Sequence, residues 1–168
     1  MTHERETYIS WLIMLGALLE KARRCGLLSI DTDVHMPQQS TILMDFPATE
    51  HAPYRDFALD MLQLICDGYL EEEDLQIYAN AAISSYEHAD VDCKLMQSIW
   101  LSIWGAAKGF PPRIAVEYGR QAMPASIKIS KAELQNRLRA YLCKDSPQDP
   151  NAKLDTAVIY EFVASLQS

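Results

Sequence analysis

Four charged residues around a glycine are the first side chains whose types and spacing could do chemistry: Arg23, Arg24, Asp31 and Asp33 bracket Gly26. Opposite charges a few residues apart at a helix end can pair locally, for about 0–1 kcal/mol when exposed. Pointing outward instead, they form a two-signed patch, which favours orientation and association rate over raw affinity. That is the profile of a transient, repeatedly broken contact with a protein partner. A second cluster, Arg113, Glu117 and Arg120, lies within "KGFPPRIAVEYGRQAMP", spaced four and three apart. On a helix this spacing gives a self-paired face, so its role is structural, docking this tail element onto the acidic part of the chain. A third, "EEED" at Glu71–Asp74, has metal-ligating residue types. Carboxylates in a first helical turn, however, meet the positive end of the helix dipole.

Nothing else in the chain resembles reaction chemistry. There is no HExxH, no GxSxG and no Gly-rich phosphate loop. His3, His35, His51 and His88 are isolated, and Cys25, Cys66, Cys93 and Cys143 form no CxxC pair. No catalytic residue, metal site or cofactor is therefore assigned, and the chain reads as an interaction protein rather than an enzyme.

The elements that must position these residues read as amphipathic helices, with no convincing strand alternation. The expected fold is all-α, a compact hairpin or bundle of about six helices. The first helix runs from Thr7 to Cys25, capped by Gly26, with Lys21, Arg23 and Arg24 in its last turns. Its stretch Tyr8–Leu19 is apolar nearly all round, which suits a buried or oligomer-facing helix, or the cytoplasmic end of a helix that meets a bilayer. Pro37 and Pro47 break the connector that follows, which has a helical turn around Gln38–Met44. Helices then follow over Tyr54–Asp67, from Glu71, and over Val91–Lys108. The last two either turn back on each other near His88–Asp92, the preferred reading, or form one rod. Pro112 opens a short helix to Ala122. Ser130-Lys-Ala-Glu133 is a capping box, with Ile129 and Leu134 as its staple. Residues 1–144 are read as one helical domain. Residues 145–168 are a linker plus an amphipathic helix, Asn151 to Leu166, with Leu154, Val158, Ile159, Phe162, Val163 and Leu166 on one side.

The 168 residues suffice for one domain with a real core. A net charge of −8 argues against nucleic-acid binding. The charge is divided: fourteen carboxylates and only Arg55 lie between Asp31 and Asp92, against seven basic and two acidic residues from Gly109 to Lys144. The longest uncharged apolar runs, Thr7–Leu19 and Leu95–Ala107, have 13 residues each, short of the roughly 20 a spanning helix needs.

"LLEKARRCGLLSIDTDV", "FALDMLQLICDGYL" and "GFPPRIAVEYGRQAMPASIKISKAELQNRLR", in that order, resemble the cytoplasmic parts of flagellar stator A subunits. These belong to the MotA/TolQ/ExbB proton-channel family. The resemblance spans about residues 8–140. It implies a cytoplasmic module, peripheral at the inner membrane, that contacts a FliG-like rotor switch protein to couple ion flow to torque in motility and chemotaxis. The family's functional arginine falls on Arg23 and its functional acid on Asp31, an Asp where the family often has Glu; Arg24 and Asp33 support them. The family's membrane helices, expected before residue 8 and near Glu87–Lys94, have no counterpart here. The module would not conduct ions itself, would meet a stator B subunit only if the native gene encodes those helices, and would be a monomer or weak oligomer. It is a chain with its membrane hairpin excised, or a paralogue that lost its channel. The alternative is a soluble helical adaptor for a different protein partner.

Overall fold

A computed structural model describes residues 2–68, 71–86 and 91–144. Among them there are eight α-helices and no strand, so the chain is all-α. Six helices are long: α1 (Thr2–Cys25), α4 (Ala52–Asp67), α5 (Glu72–Ser84), α6 (Cys93–Ala107), α7 (Pro112–Ala122) and α8 (Lys131–Leu142). The connector adds two short ones, α2 (Asp31–His35) and α3 (Thr41–Met44), between single 3-10 turns. Prolines start two of those turns, at Pro37 and Pro47. The linker and terminal helix expected over residues 145–168 lie outside the described residues.

The hydropathy of α1 explains its place. Tyr8, Ile9, Trp11, Leu12, Met14, Leu15 and Leu18 are all at most 1% exposed. A helix apolar on every side must be surrounded, and α1 packs against α6, α7 and α8 as well as the connector. It is thus buried within its own chain. Trp11 and Trp100 carry the one polar cost in this core: their indole Nε1–H groups are buried and find no acceptor among the described residues. Each such donor costs about 1–3 kcal/mol, offset by the large ring area removed from water.

Three small residues set the closest packing. The Gly119 backbone in α7 lies so near α6 that a Cβ there would sit 2.0 Å from Ser102 Oγ and 2.6 Å from the Ser98 carbonyl oxygen. Ser98 Oγ donates to the Gly119 carbonyl at 2.8 Å, fixing the contact. Gly105 of α6 meets Ala115 of α7 in the same way, and Gly16 of α1 receives Leu138 of α8. The turn joining α6 to α7 is built to allow this. Gly109 is left-handed (φ 79°), its N–H reaches the Ala106 carbonyl at 2.8 Å, and the Phe110 N–H reaches the Gly105 carbonyl at 3.0 Å. That is a Schellman end, and Pro112 then opens α7 where its missing N–H costs nothing.

Polar ties hold the remaining helices. Asp92 caps α6 by accepting from the Lys94 and Leu95 N–H groups, and accepts the Tyr8 hydroxyl at 2.5 Å. Its own N–H donates to Tyr54 Oη at 2.7 Å, so α1, α4 and α6 meet there. Helices α5 and α6 are separate and in contact, which rules out one continuous rod. At α8, Ser130 Oγ accepts the Glu133 N–H as a capping box requires. The reciprocal half does not form: the Glu133 carboxylate bonds Arg5 at 2.8 Å and Arg137 at 3.2 Å, charge-assisted contacts that outbid a backbone N–H.

Substituting Gly119→Ala should therefore lower stability by ~2–3 kcal/mol, since serine and backbone atoms fill the space. Arg113→Ala, on the exposed face of the same helix, should change it by less than ~0.5 kcal/mol. Urea unfolding of both variants gives the comparison; equal stabilities would show the α6–α7 contact to be yielding.

Candidate functional site

The end of α1 concentrates the charged residues singled out by the sequence. Glu20 is the centre of the group, and it was missed by the sequence reading. Its side chain is only 11% exposed, and it accepts from Arg23 Nε at 3.0 Å, from the Arg23 terminal nitrogen at 2.7 Å and from Arg24 Nε at 2.6 Å. The signal was present as the i, i+3 and i, i+4 spacing of "EKARR". Hydrogen bonds from Arg23, opposed by partial burial and joined by those from Arg24, hold the Glu20 carboxyl below the usual carboxylate range. This pairing fixes one edge of each guanidinium, and both arginine side chains remain more than half exposed.

Gly26, at φ 88°, turns the chain after α1. Asp31 then lies on the surface at the start of α2, paired within that helix to His35 Nδ1 at 3.2 Å. Neither Arg23 nor Arg24 forms an ion pair with Asp31 or Asp33 among the described residues. Arg23 and Asp31 are both exposed beside the end of α4, where Arg23 lines a groove with Leu62 and Ile65 and the Asp31 charge helps burial push up the Cys66 thiol, whereas Arg24 lines a depression with Thr41, Asp45 and Tyr141.

Asp33 does not belong with them. It is 3% exposed and accepts from Lys21 Nζ and Ser40 Oγ, each at 2.6 Å. Ser40 in turn caps α3 by accepting the Leu43 N–H. The carboxylate is occupied in tying α2 and α3 to the end of α1, because a charge at this depth is tolerated only when fully bonded.

The α7 cluster also differs from expectation. Glu117 and Arg120 do pair, at 2.7 Å and 2.8 Å, but with side chains only 16% and 12% exposed. Arg120 spends its third contact on the Ile129 carbonyl at 2.7 Å, holding the segment before α8. Helix α7 packs on α6, α1 and α8 rather than on the acidic helices, and Arg113 is exposed with no ion pair among the described residues. The acidic and basic parts of the chain meet elsewhere, where Asp45 receives Lys144 and the Tyr141 hydroxyl. Among the described residues no group of three or more His, Cys, Asp or Glu could hold a metal ion, and no helix is long and apolar enough to cross a membrane.

About half of the chain is similar in sequence to motility proteins. The chain is 26% identical over 86 residues to Motility protein A of Escherichia coli strain K12 and 27% identical over 86 residues to Motility protein A of Salmonella typhimurium. It is 32% identical over 76 residues to Chemotaxis protein LafT of Vibrio parahaemolyticus. The matched regions cover 45–51% of this chain and 27–29% of the relatives, so the chain spans less than a third of the proteins it matches. No family model and no solved structure matches it. These similarities support a MotA-like relationship, in agreement with the motifs quoted above.

Two measurements separate the roles within the site. Asp33→Ala should lower stability by about 2 kcal/mol through the loss of two bonds to a buried carboxylate, whereas Asp31→Ala should stay within about 0.5 kcal/mol of the parent; thermal unfolding reads both. Glu20 and Glu117 both titrate below the normal range, held there chiefly by Arg23 and Arg120. Their contribution to stability is complete above the unfolded-state value of about 4.3 and is lost as pH falls through the depressed folded values. The Glu20→Gln/Glu117→Gln variant should accordingly be less stable at pH 7 and show a shallower loss of stability between pH 5 and pH 2 in urea titrations.

Proposed function

We propose that this chain is the rotor-contacting module of a stator-A-like subunit, working on the cytoplasmic side of the inner membrane. It acts by contact rather than by catalysis. Arg23 and Asp31 meet a FliG-like rotor switch protein, with Arg24 beside them, and the contact converts ion flow elsewhere in the motor into torque. The observation that carries this reading is the outward patch at the end of α1. Arg23 and Arg24 are half-held by Glu20, so their direction is set while an edge of each guanidinium stays open. Asp31 stands exposed beyond the Gly26 turn. Arginines ordered in this way lose less side-chain freedom on binding than free ones, and charges of both signs orient a partner on approach. The similarity to Motility protein A and LafT supports the choice of a motility partner. Asp33 and the Glu117–Arg120 pair act only by holding the fold. The module conducts no ions itself, and joins a stator B subunit only within a chain that carries membrane helices.

Reversing the charge tests the contact. Arg23→Glu should weaken binding to the FliG-like protein at least about tenfold, as expected for a rim charge that becomes repulsive. A partner carrying the opposite reversal should restore it. Wild-type affinity in the Arg23→Glu variant, measured by titration calorimetry, would sink the rotor reading and leave a helical adaptor for some other protein.

A further inference from the structure

Two adjoining depressions and one helix face are left over by the fold and by the contact proposed above. The first depression, about 470 Å³, is lined by Arg23, Arg24, Arg113 and Arg139, with Glu20 as its single carboxylate. Glu20 is already spent on Arg23 and Arg24. Arg113 and Arg139 are exposed and have no ion pair among the described residues, so this cleft keeps an excess of positive charge in a chain whose net charge is −8. The second depression, about 270 Å³, is mostly apolar, with Leu27, Ile30, Ile65 and Phe110 among its lining. Arg23, Pro111 and Pro112 line both, so a basic region and an apolar region adjoin. Leu27 and Phe110 remain 40% and 36% exposed. The Phe110 ring is held by stacking on Tyr118, with centroids 5.4 Å apart. An exposed apolar side chain that is already fixed loses little freedom when a partner covers it.

The helix face is on α5. Leu75, Ala79 and Ile83 are buried on its inner side, where it packs on α4 and α6. The other side carries Glu73, Asp74, Ile77, Tyr78 and Ala81, all exposed. Four-residue spacing sets Glu73 behind Ile77 and Asp74 behind Tyr78, so an acidic turn runs directly into an apolar one. Ile77 is 66% exposed and Tyr78 44%. Acidic then apolar on this face matches basic beside apolar in the depressions. Within one copy the two surfaces do not meet, because the face points away from α4 and α6, whose Leu62, Ile65, Ala106 and Ala107 line the apolar depression.

We infer that the outer face of α5 in one copy seats in the paired depressions of a second copy, with Ile77 and Tyr78 on Leu27 and Phe110, and Glu73 and Asp74 toward Arg113 and Arg139. Pairing like with like is disfavoured: two α5 faces set carboxylates against carboxylates, and two depressions set arginines against arginines. The contact therefore joins unlike surfaces, and each copy supplies one of each. A nucleic acid or an anionic lipid surface is a poorer occupant, since the net negative charge of the chain repels an extended polyanion, whereas a short acidic turn answers the local excess. The association does not depend on the rotor-contact reading.

Sedimentation equilibrium of the full chain tests it. The weight-average mass should rise above that of a single chain as concentration goes from micromolar to millimolar, and added salt should weaken the rise. Arg113→Glu/Arg139→Glu spoils the depression and Ile77→Ser/Tyr78→Ser spoils the face; each should lower the association constant at least about tenfold. Mixed together, the two variants offer one intact face and one intact depression, so they should form pairs that neither forms alone and grow no further. All four positions are exposed, so the urea midpoints of both variants should match the parent's. A parent that stays a single chain at every concentration overturns the inference. So does unchanged association in either variant, which puts the contact on another surface, and so does a mixture that stays as single chains.

Discussion

The contact between α6 and α7 at Gly119 is the constraint on which the rest of the structure depends. Ser98 and Ser102 occupy the space where any other residue would place its Cβ, and Leu12 of α1 closes it from the third side. Three helices are thereby held at one point with no room for adjustment. Because α7 cannot slide along α6, the turn between them is fixed, and so are Pro111 and Pro112 beside the end of α1. Pro111 and Pro112, which line the same groove as Arg23, are thus placed by glycine and serine residues that carry no charge at all. Close packing of this kind passes displacement on rather than absorbing it.

Around that point the polar groups are distributed by depth. The shallow ones, Arg23, Arg24 and Asp31, keep part of their surface free, while the deeper ones, Asp33 and the Glu117–Arg120 pair, are committed to partners within the chain. Residue type does not separate the two groups, since aspartate and arginine occur in both. Exposure does, because a buried charge must find its full set of bonds within the chain.

Much of the fold was legible in the sequence because it follows from local rules. The bounds of α7, the glycine end of α1, the Ser130 cap and the turn after Gly109 each depend on a few neighbouring residues, and Pro112 and Gly109 announce them directly. The connector was only partly legible: α2 and α3 are too short for periodicity to register, and they are held by Asp33 and Ser40 rather than by helical propensity. The site was legible where it lies on one helix. Spacing along the chain could show that Asp31 follows Arg23 closely, but not that Asp33, two residues on, turns inward to Lys21. Nor could it show that Glu133 would leave its own helix start for Arg5, a residue 128 positions away. Choices among competing charged partners are made by tertiary distance, and no sequence spacing encodes that.

The corner at Gly109–Pro112 has a mechanical meaning. Two consecutive prolines have their φ angles locked by their rings, and the residues before them are tied by backbone bonds to Gly105 and Ala106. Few soft torsions remain in the corner, so it behaves as an abutment rather than a hinge. Pro111 and Pro112 line the same groove as Arg23, so that arginine sits against an edge with little freedom to give.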